Sequence, residues 1–405
     1  MRKQRSLLLA LAVLLFGLID VARAQQPIRI GASMSQTGSY AALGQNQLRG
    51  YTLCVKHTNE KGGVLGRKLQ LLIEDDQSQP ETAARIYEKL ITQDTVDAVL
   101  GPYSSAITEA VADVSEKYKM PLVAPAASTT SIFKKGRKFA FMLQSPAEVY
   151  LEGLIDLASK RGLKTIAVIN EDTIFPKSLA QGTAELARKK GIRVVFAEAY
   201  SKGSADFTAI LKKVKAANPD VLAAATYFDD AIAIVRKLKE LNVDLKMVGV
   251  TVGGDLPKFY ETLGQAAEFV YGSSQWEPEL VTLRAGGLIP IAREYPGARE
   301  FVEAYHKEYP GADFSYHSAG GYSGCEVLVE AIKRAGSLDG EKVRAAILKL
   351  DYHNVYGGFK VDKDGFQIAH KMVLFQWQDG KKVIVWPEEL APGKPRFPTP
   401  PWNQR

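Results

Sequence analysis

The sequence predicts an α/β protein made of two doubly wound lobes, each built on a parallel sheet. Short apolar runs alternate with longer amphipathic stretches along most of the chain, the pattern of strand–helix–strand units with right-handed crossovers. The alternation pauses near residue 145 and then restarts, so two successive halves share one plan. The size agrees: 405 residues, 46% of them hydrophobic and 24% charged, suggest two or three domains with ample core.

In the first half, Ile28–Met34, Leu69–Glu74, Val96–Leu100 and Pro121–Ala124 read as buried strands. Helical patterns at about 43–60, 79–93 and 104–118 separate them, and Ile86, Leu90 and Ile91 mark an apolar stripe in the second. In the second half, Lys164–Ile169, Ile192–Phe196, Val221–Thr226 and Met247–Val250 are the strand candidates, between helical patterns at about 147–161, 176–190, 204–217 and 229–242. Gly162 and Gly191 fall just past helix ends, where a left-handed residue is wanted. The last third changes rhythm. Helical patterns near 296–309, 317–335 and 339–349 precede strands at Phe359–Val361 and Met372–Trp377, with Asp364-Gly365 and Asp379-Gly380 as turns. Five prolines in residues 391–405 predict an extended, loosely held tail.

The net charge of +7 does not point to nucleic acid, because Lys and Arg are interleaved with Asp and Glu along helical stretches. Residues 1–24 have the form of a secretory signal peptide: Arg2, Lys3 and Arg5, an apolar run from Leu7 to Ile19, then Ala22-Arg23-Ala24 before the expected cut. Its removal leaves about +4. Two cysteines exclude a disulfide framework and a Cys-based zinc cluster. An oxidising compartment permits a Cys54–Cys325 bond, but each sits on an apolar helix face, and two separately buried thiols are the expectation.

No P-loop, Gly-x-Ser-x-Gly elbow or His-Glu-x-x-His occurs. Asp75-Asp76 is the one tempting acid pair, but neighbours in a strand point to opposite faces, and shaping a turn is the simpler role. No catalytic residue, metal site or cofactor is expected. The informative segments are the turns that follow strands, since ligands of open parallel sheets bind at strand carboxyl ends. Ser35 to Tyr40, Gly101-Pro102-Tyr103-Ser104-Ser105 and Ala126-Ala127-Ser128-Thr129-Thr130 are rich in small polar residues. Their hydroxyls and N–H groups at helix starts can hold a carboxylate, although Ser105 is also a good N-cap.

These turns resemble those of the type I periplasmic binding proteins, specifically the branched-chain amino-acid (Leu/Ile/Val) receptor family of ABC transporters. The matching stretches are Ser35-Gln36-Thr37-Gly38 with Gly44, Glu74-Asp75-Asp76-Gln77, Gly101 to Ser105, Ala124-Pro125-Ala126-Ala127-Ser128, Tyr271-Gly272 with Trp276, and Gly357-Gly358-Phe359. The resemblance implies a three-crossover hinge, near 143–147, 273–277 and 356–358. One lobe would then be 25–144 plus 276–356, and the other 146–273 plus 358–390, with 391–405 as a tail. It implies a periplasmic protein, expected to be monomeric, whose lobes close on a small carboxylate and which docks on an ABC permease of the inner membrane. The carboxylate-holding positions match Ser105 and Ala126–Ser128, with Tyr103 and Ser104 in the same turn and Tyr40 nearby. Opposing positions match Phe175 and Tyr227, with Tyr150 in a helical pattern.

One position departs from the family. Where amino-acid receptors place an acid for the ligand's ammonium group, this chain has Gly253, and Asp255 is expected to cap the next helix. A buried ammonium without a partner is costly. The expected ligand is therefore a hydrophobic or aromatic carboxylate without an α-amino group, ahead of a branched-chain amino acid for which Glu171, Asp172 or Asp229 would have to replace the missing acid. The alternative role is the ligand-sensing domain of a signalling receptor, which uses the same fold.

Overall fold

The computed structural model describes residues 26–282, 295–388 and 391–405; the expected signal peptide lies outside the described residues. The first sheet is assembled from β1 (Ile28–Met34), α1 (Ala41–Glu60), β2 (Leu69–Asp75), α2 (Pro80–Thr92), β3 (Ala98–Leu100), α3 (Ser105–Tyr118), β4 (Leu122–Ala124), α4 (Thr130–Phe133) and β5 (Ala140–Met142). Its five strands run parallel in the order β2-β1-β3-β4-β5. The second sheet begins after α5 (Glu152–Lys160). It follows β6 (Thr165–Glu171), α6 (Ile174–Lys189), β7 (Arg193–Tyr200), α7 (Thr208–Ala217), β8 (Val221–Ala225), α8 (Phe228–Glu240), β9 (Met247–Val250), α9 (Pro257–Leu263) and β10 (Tyr271–Ser274). The chain then returns to the first lobe through α10 (Glu279–Thr282), α11 (Ala298–Glu308), α12 (Tyr316–Ala335), α13 (Gly340–Ile347) and the ribbon β11 (Tyr352–Asn354) and β12 (Gly357–Phe359). It ends by adding β13 (Val373–Gln378) and β14 (Lys381–Trp386) antiparallel to the second sheet, in the order β14-β13-β10-β9-β8-β6-β7. The Asp379-Gly380 turn joining them has both residues at positive φ, which suits a two-residue hairpin.

Each sheet has a switch point, where the strand order reverses. In the first it lies between β1 and β3, and in the second between β6 and β8. A crevice opens there at the carboxyl ends of the strands. The turns carrying Tyr40 and Tyr103–Ser105 rise from one switch point, and those carrying Phe175 and Tyr227 from the other.

Four expectations are corrected. Cys54 and Cys325 are bonded, with Cα atoms 6.2 Å apart, and are not separate thiols. The cause is the close approach of α1 to α12. A Cβ on Gly50 would stand 2.2 Å from the Ser318 carbonyl oxygen, and one on Gly321 2.3 Å from that of Gln47. The third crossover is not at 356–358. Met142 N–H donates to the Gly365 carbonyl and Gln367 Nε2 to that of Leu143, so the chain stays with the first lobe beyond residue 365. It passes over at His370, whose carbonyl accepts from Ser145 Oγ and whose Nε2 meets the Gln275 carbonyl, each at 3.0 Å. The tail is not loosely held: Trp402 is buried on the second lobe, its indole donating to the Val243 carbonyl at 2.9 Å. The helix expected at 147–161 is broken into a 3₁₀ turn, Ala147–Val149, followed by α5.

Candidate functional site

On the first lobe the turn after β3 is pinned from behind. Gln47 Nε2 and Tyr51 Oη both donate to the Gly101 carbonyl, at 2.9 and 2.7 Å. Ser104 then takes φ +79° and ψ 151°, a region nearly reserved for glycine, and its Oγ accepts from Ile107 N–H at 3.4 Å. Ser104, not Ser105, is therefore the N-cap of α3. Ser105, the first residue of the helix, has its Oγ free of the capping role and accepts from the N–H groups of Ser128 and Thr129, at 3.2 and 3.4 Å. Two turns far apart in sequence are thereby joined at one hydroxyl.

The second lobe opposes them with rings. Phe175 lies in the first turn of α6 and Tyr227 just before α8, their centroids 5.8 Å apart. Tyr150, next to the first crossover, meets Phe175 edge-on at 5.2 Å and donates its hydroxyl to Gln144 Oε1 at 3.0 Å. Between the two sides lies a narrow cavity. Eight of the expected residues line it: Tyr103, Ser104, Ser105, Ala126 and Ser128 from the first lobe, with Tyr150, Phe175 and Tyr227 opposite. Its free centre takes about one water molecule, so any larger occupant has to part the walls.

Three expected residues do not line it. Ala127 is fully buried behind the turn. Tyr40 sits above, its ring 5.7 Å from Tyr103 and 4.9 Å from Tyr227, so it bridges the lobes. Gly253 is turned away: at φ +87° its Cβ would stand 2.6 Å from the Phe228 Cα, and its neighbour Val252 faces the cavity instead. The lining also includes Gln144, Tyr316 and His317, which the sequence reasoning missed. Tyr316 and His317 begin α12, with Ser315 as the cap, and no strand-end signal marked them.

The electrostatics favour an anion. The amino ends of α3, α6, α8 and α12 all come to the cavity, and each carries partial positive charge. His317 bonds Tyr103 Oη and Ser315 Oγ, each at 3.3 Å, and burial pushes its imidazole down to about 3, so it is neutral at pH 7. The acids lie outside the walls. Glu171 accepts from Thr173 Oγ1 at 2.7 Å, and Asp230 from Tyr200 Oη at 3.0 Å; burial raises both, Asp230 to about 6. Asp172 pairs with Lys177, and Asp229 is not part of the lining. Asp255 does not cap α9. Its Oδ1 accepts from Gly253 N–H at 3.2 Å, and burial raises the carboxyl to about 6 against the pull of Lys382. Lys202, from the second lobe, places its ammonium 4.7 Å over the Tyr40 ring. Asp75 and Asp76 are occupied in tying down the 35–37 turn, through Thr37 Oγ1 at 2.7 Å and Ser35 Oγ at 2.7 Å. Among the described residues no group of three or more His, Cys, Asp or Glu could hold a metal ion, and no helix is long and apolar enough to cross a membrane.

A family model described as "Periplasmic binding protein" matches residues 27–382. A curated relative, "Leu/Ile/Val-binding protein homolog 7" of Brucella melitensis, is 28% identical, with 96% of this chain and 98% of the relative covered. The structure of a leucine binding protein, LivK, from Thermotoga maritima superimposes with a TM-score of 0.78 at 26% identity, covering 88% of this chain and 97% of that one. An ABC-transporter solute binding protein from R. palustris, in complex with benzoate, gives a TM-score of 0.77 at 18% identity over 89% and 96% of the two chains, a likeness of fold.

Proposed function

The chain belongs to the type I periplasmic binding proteins, in the branched-chain amino-acid receptor family, and from that premise we propose that it captures a small hydrophobic or aromatic carboxylate lacking an α-ammonium group. The family is one of solute-binding proteins that serve ABC transporters, not of enzymes. In this reading the ligand's carboxylate is held at Ser105 and Ser128, where the amino end of α3 supplies N–H donors and positive potential. Its apolar body lies between Tyr103, Tyr150, Phe175 and Tyr227. The lobes turn about the crossovers at Ser145, Gln275 and His370, and the ligand holds them shut because it touches both. The closed monomer then docks on an inner-membrane permease.

The observation that carries the choice of ligand is Gly253. No side chain fits there, and Glu171, Asp172 and Asp229 do not reach the cavity wall, so an ammonium group would be buried without a partner. The benzoate bound by the R. palustris protein agrees with such a ligand. A second reading, a branched-chain amino acid, is favoured by the names of the relatives and by Asp255, whose Oδ2 is buried without a hydrogen-bond partner among the described residues.

A thermal-shift series separates the two. Benzoate, 4-methylpentanoate and leucine would each be added to the purified protein, since a ligand bound only by the folded state raises the melting temperature by mass action. The deaminated acids are expected to shift it and leucine is not. A shift with leucine alone discards the ammonium-free reading, and no shift with any carboxylate discards the carboxylate site. Replacing Ser105 by alanine is expected to weaken binding by about 1–3 kcal/mol, the worth of a hydrogen bond to a charged group, with the fold intact by circular dichroism. Unchanged affinity in calorimetry would remove Ser105 from the site.

A further inference from the structure

A second cavity lies away from the crevice, on the first lobe, where the end of α1 meets α12 and β11. It is an open pocket of about 210 Å³, lined by His57, Lys61, Tyr322, Glu326, Lys333 and Tyr352 among others. Its charges are layered. Glu326 lies deep: its Oε2 is buried and has no hydrogen-bond partner among the described residues. Burial raises the carboxyl to about 8, although Lys61 and a backbone bond from Val355 pull the other way. Tyr322 and Tyr352 stand close enough for the Glu326 charge to raise them both, and Tyr322 Oη is fixed by His57 Nδ1 at 2.9 Å. The cations are at the rim. Lys61 is exposed, and Lys333, 63% exposed, has its ammonium 3.9 Å from a Glu330 carboxylate that is already bonded to Arg334 at 2.8 Å.

We infer that this cavity is a second binding site, for a small zwitterion whose ammonium seats on Glu326 between Tyr322 and Tyr352 and whose carboxylate meets Lys61 and Lys333. Charge order decides the class. A simple cation would enter past two lysines. A simple anion would bring no cation to the buried Glu326 carboxyl, which stays mostly protonated near pH 7 until one arrives. A molecule with an ammonium at one end and a carboxylate at the other satisfies both layers and supplies the missing donor to Oε2, with the tyrosine faces adding attraction for the cation. The site is independent of what the crevice binds.

The probe is 4-aminobutyrate, titrated into the ¹⁵N-labelled full chain and followed by NMR. Saturable shifts are expected at the Gly63 and Val329 amides, with the Ser105 and Ser128 amides still. Butylamine and butyrate, each with one of the two charges, are expected to need at least about tenfold higher concentration. Glu326→Gln should weaken the response at least about tenfold, its melting curve serving as the fold control. Lys61→Met, a change at an exposed position, should weaken it several-fold. The inference is overturned by no saturable shift at these amides up to about 50 mM, by butylamine matching 4-aminobutyrate, or by Glu326→Gln leaving the titration unchanged. A gain of binding in Lys61→Met would also overturn it, since Lys61 itself would then be the natural partner of Glu326.

Discussion

Ser104 holds a backbone conformation that L-residues avoid, and the strain is maintained by the Gln47 and Tyr51 bonds to Gly101 just before it. Such a residue costs about 1–3 kcal/mol, whereas losing a serine N-cap to glycine costs only a few tenths. Ser104→Gly is therefore expected to stabilise the protein by about 1 kcal/mol, read by urea denaturation, while loosening the turn that carries Ser105. A destabilised variant would show that the strain is not there. Asp230 gives a pH-dependent test. Burial raises its carboxyl from 3.8 to about 6, with Glu171 and Asp229 adding to the effect and Tyr200 opposing it. A carboxyl raised on folding makes the folded state bind more protons than the unfolded one, so its contribution falls as pH rises from about 4 to 6 and then levels off. Asp230→Asn removes that loss. Its stability relative to the parent should climb by up to about 3 kcal/mol between pH 4 and 7, and a difference that stays flat with pH refutes the assignment.

At the level of elements, α1 and α12 illustrate what periodicity conveys and what it omits. Both helices were legible from their apolar faces, and α1, α2 and α3 begin and end within about two residues of the expected bounds. Their contact was not legible, because it depends on Gly50 and Gly321 meeting opposite backbones, and so neither was the Cys54–Cys325 bond. Replacing both cysteines by alanine should lower stability by about 2–4 kcal/mol, measured in chemical denaturation against a parent kept oxidised. Strands of three residues, β5 and β11, are too short to show alternation, and β14 opens on Lys381-Lys382, which reads as surface. The site divides in the same way. Turns that follow strands advertise themselves by small polar residues, which singled out Ser105 and Ser128; Phe175 and Tyr227 rested on their place after strands and on the family resemblance, and all four line the cavity. Gln144, Tyr316 and His317 come from a crossover and a helix start distant in sequence, and only the folded chain brings them in. Gly253 was singled out for the acid it lacks, and the structure adds why: Phe228 occupies the space. Gly253→Glu, the simplest way to restore an ammonium partner, should destabilise the fold by more than about 2 kcal/mol, because it combines a positive-φ penalty with overpacking. Thermal melts check this.

For the molecule as a whole, the two lobes meet through more than the ligand site. Tyr40 of the first lobe rests on Tyr227 of the second, and Lys202 of the second covers Tyr40 from outside. A cation over an aromatic face is worth about 0.5–2 kcal/mol. Lys202→Met keeps the apolar stem and removes the charge, so ligand release should speed up roughly 2- to 30-fold. Stopped-flow with the carboxylate that gives the largest thermal shift measures this, and an unchanged rate would mean that the cation does not hold the lobes. The rings themselves impose a constraint of another kind. With Tyr40 seated on Tyr227 outside the cavity lining, the proposed ligand would enter only while those two rings are apart and leave only when they part again. Such a latch would set how long a cargo stays, whatever grips it inside.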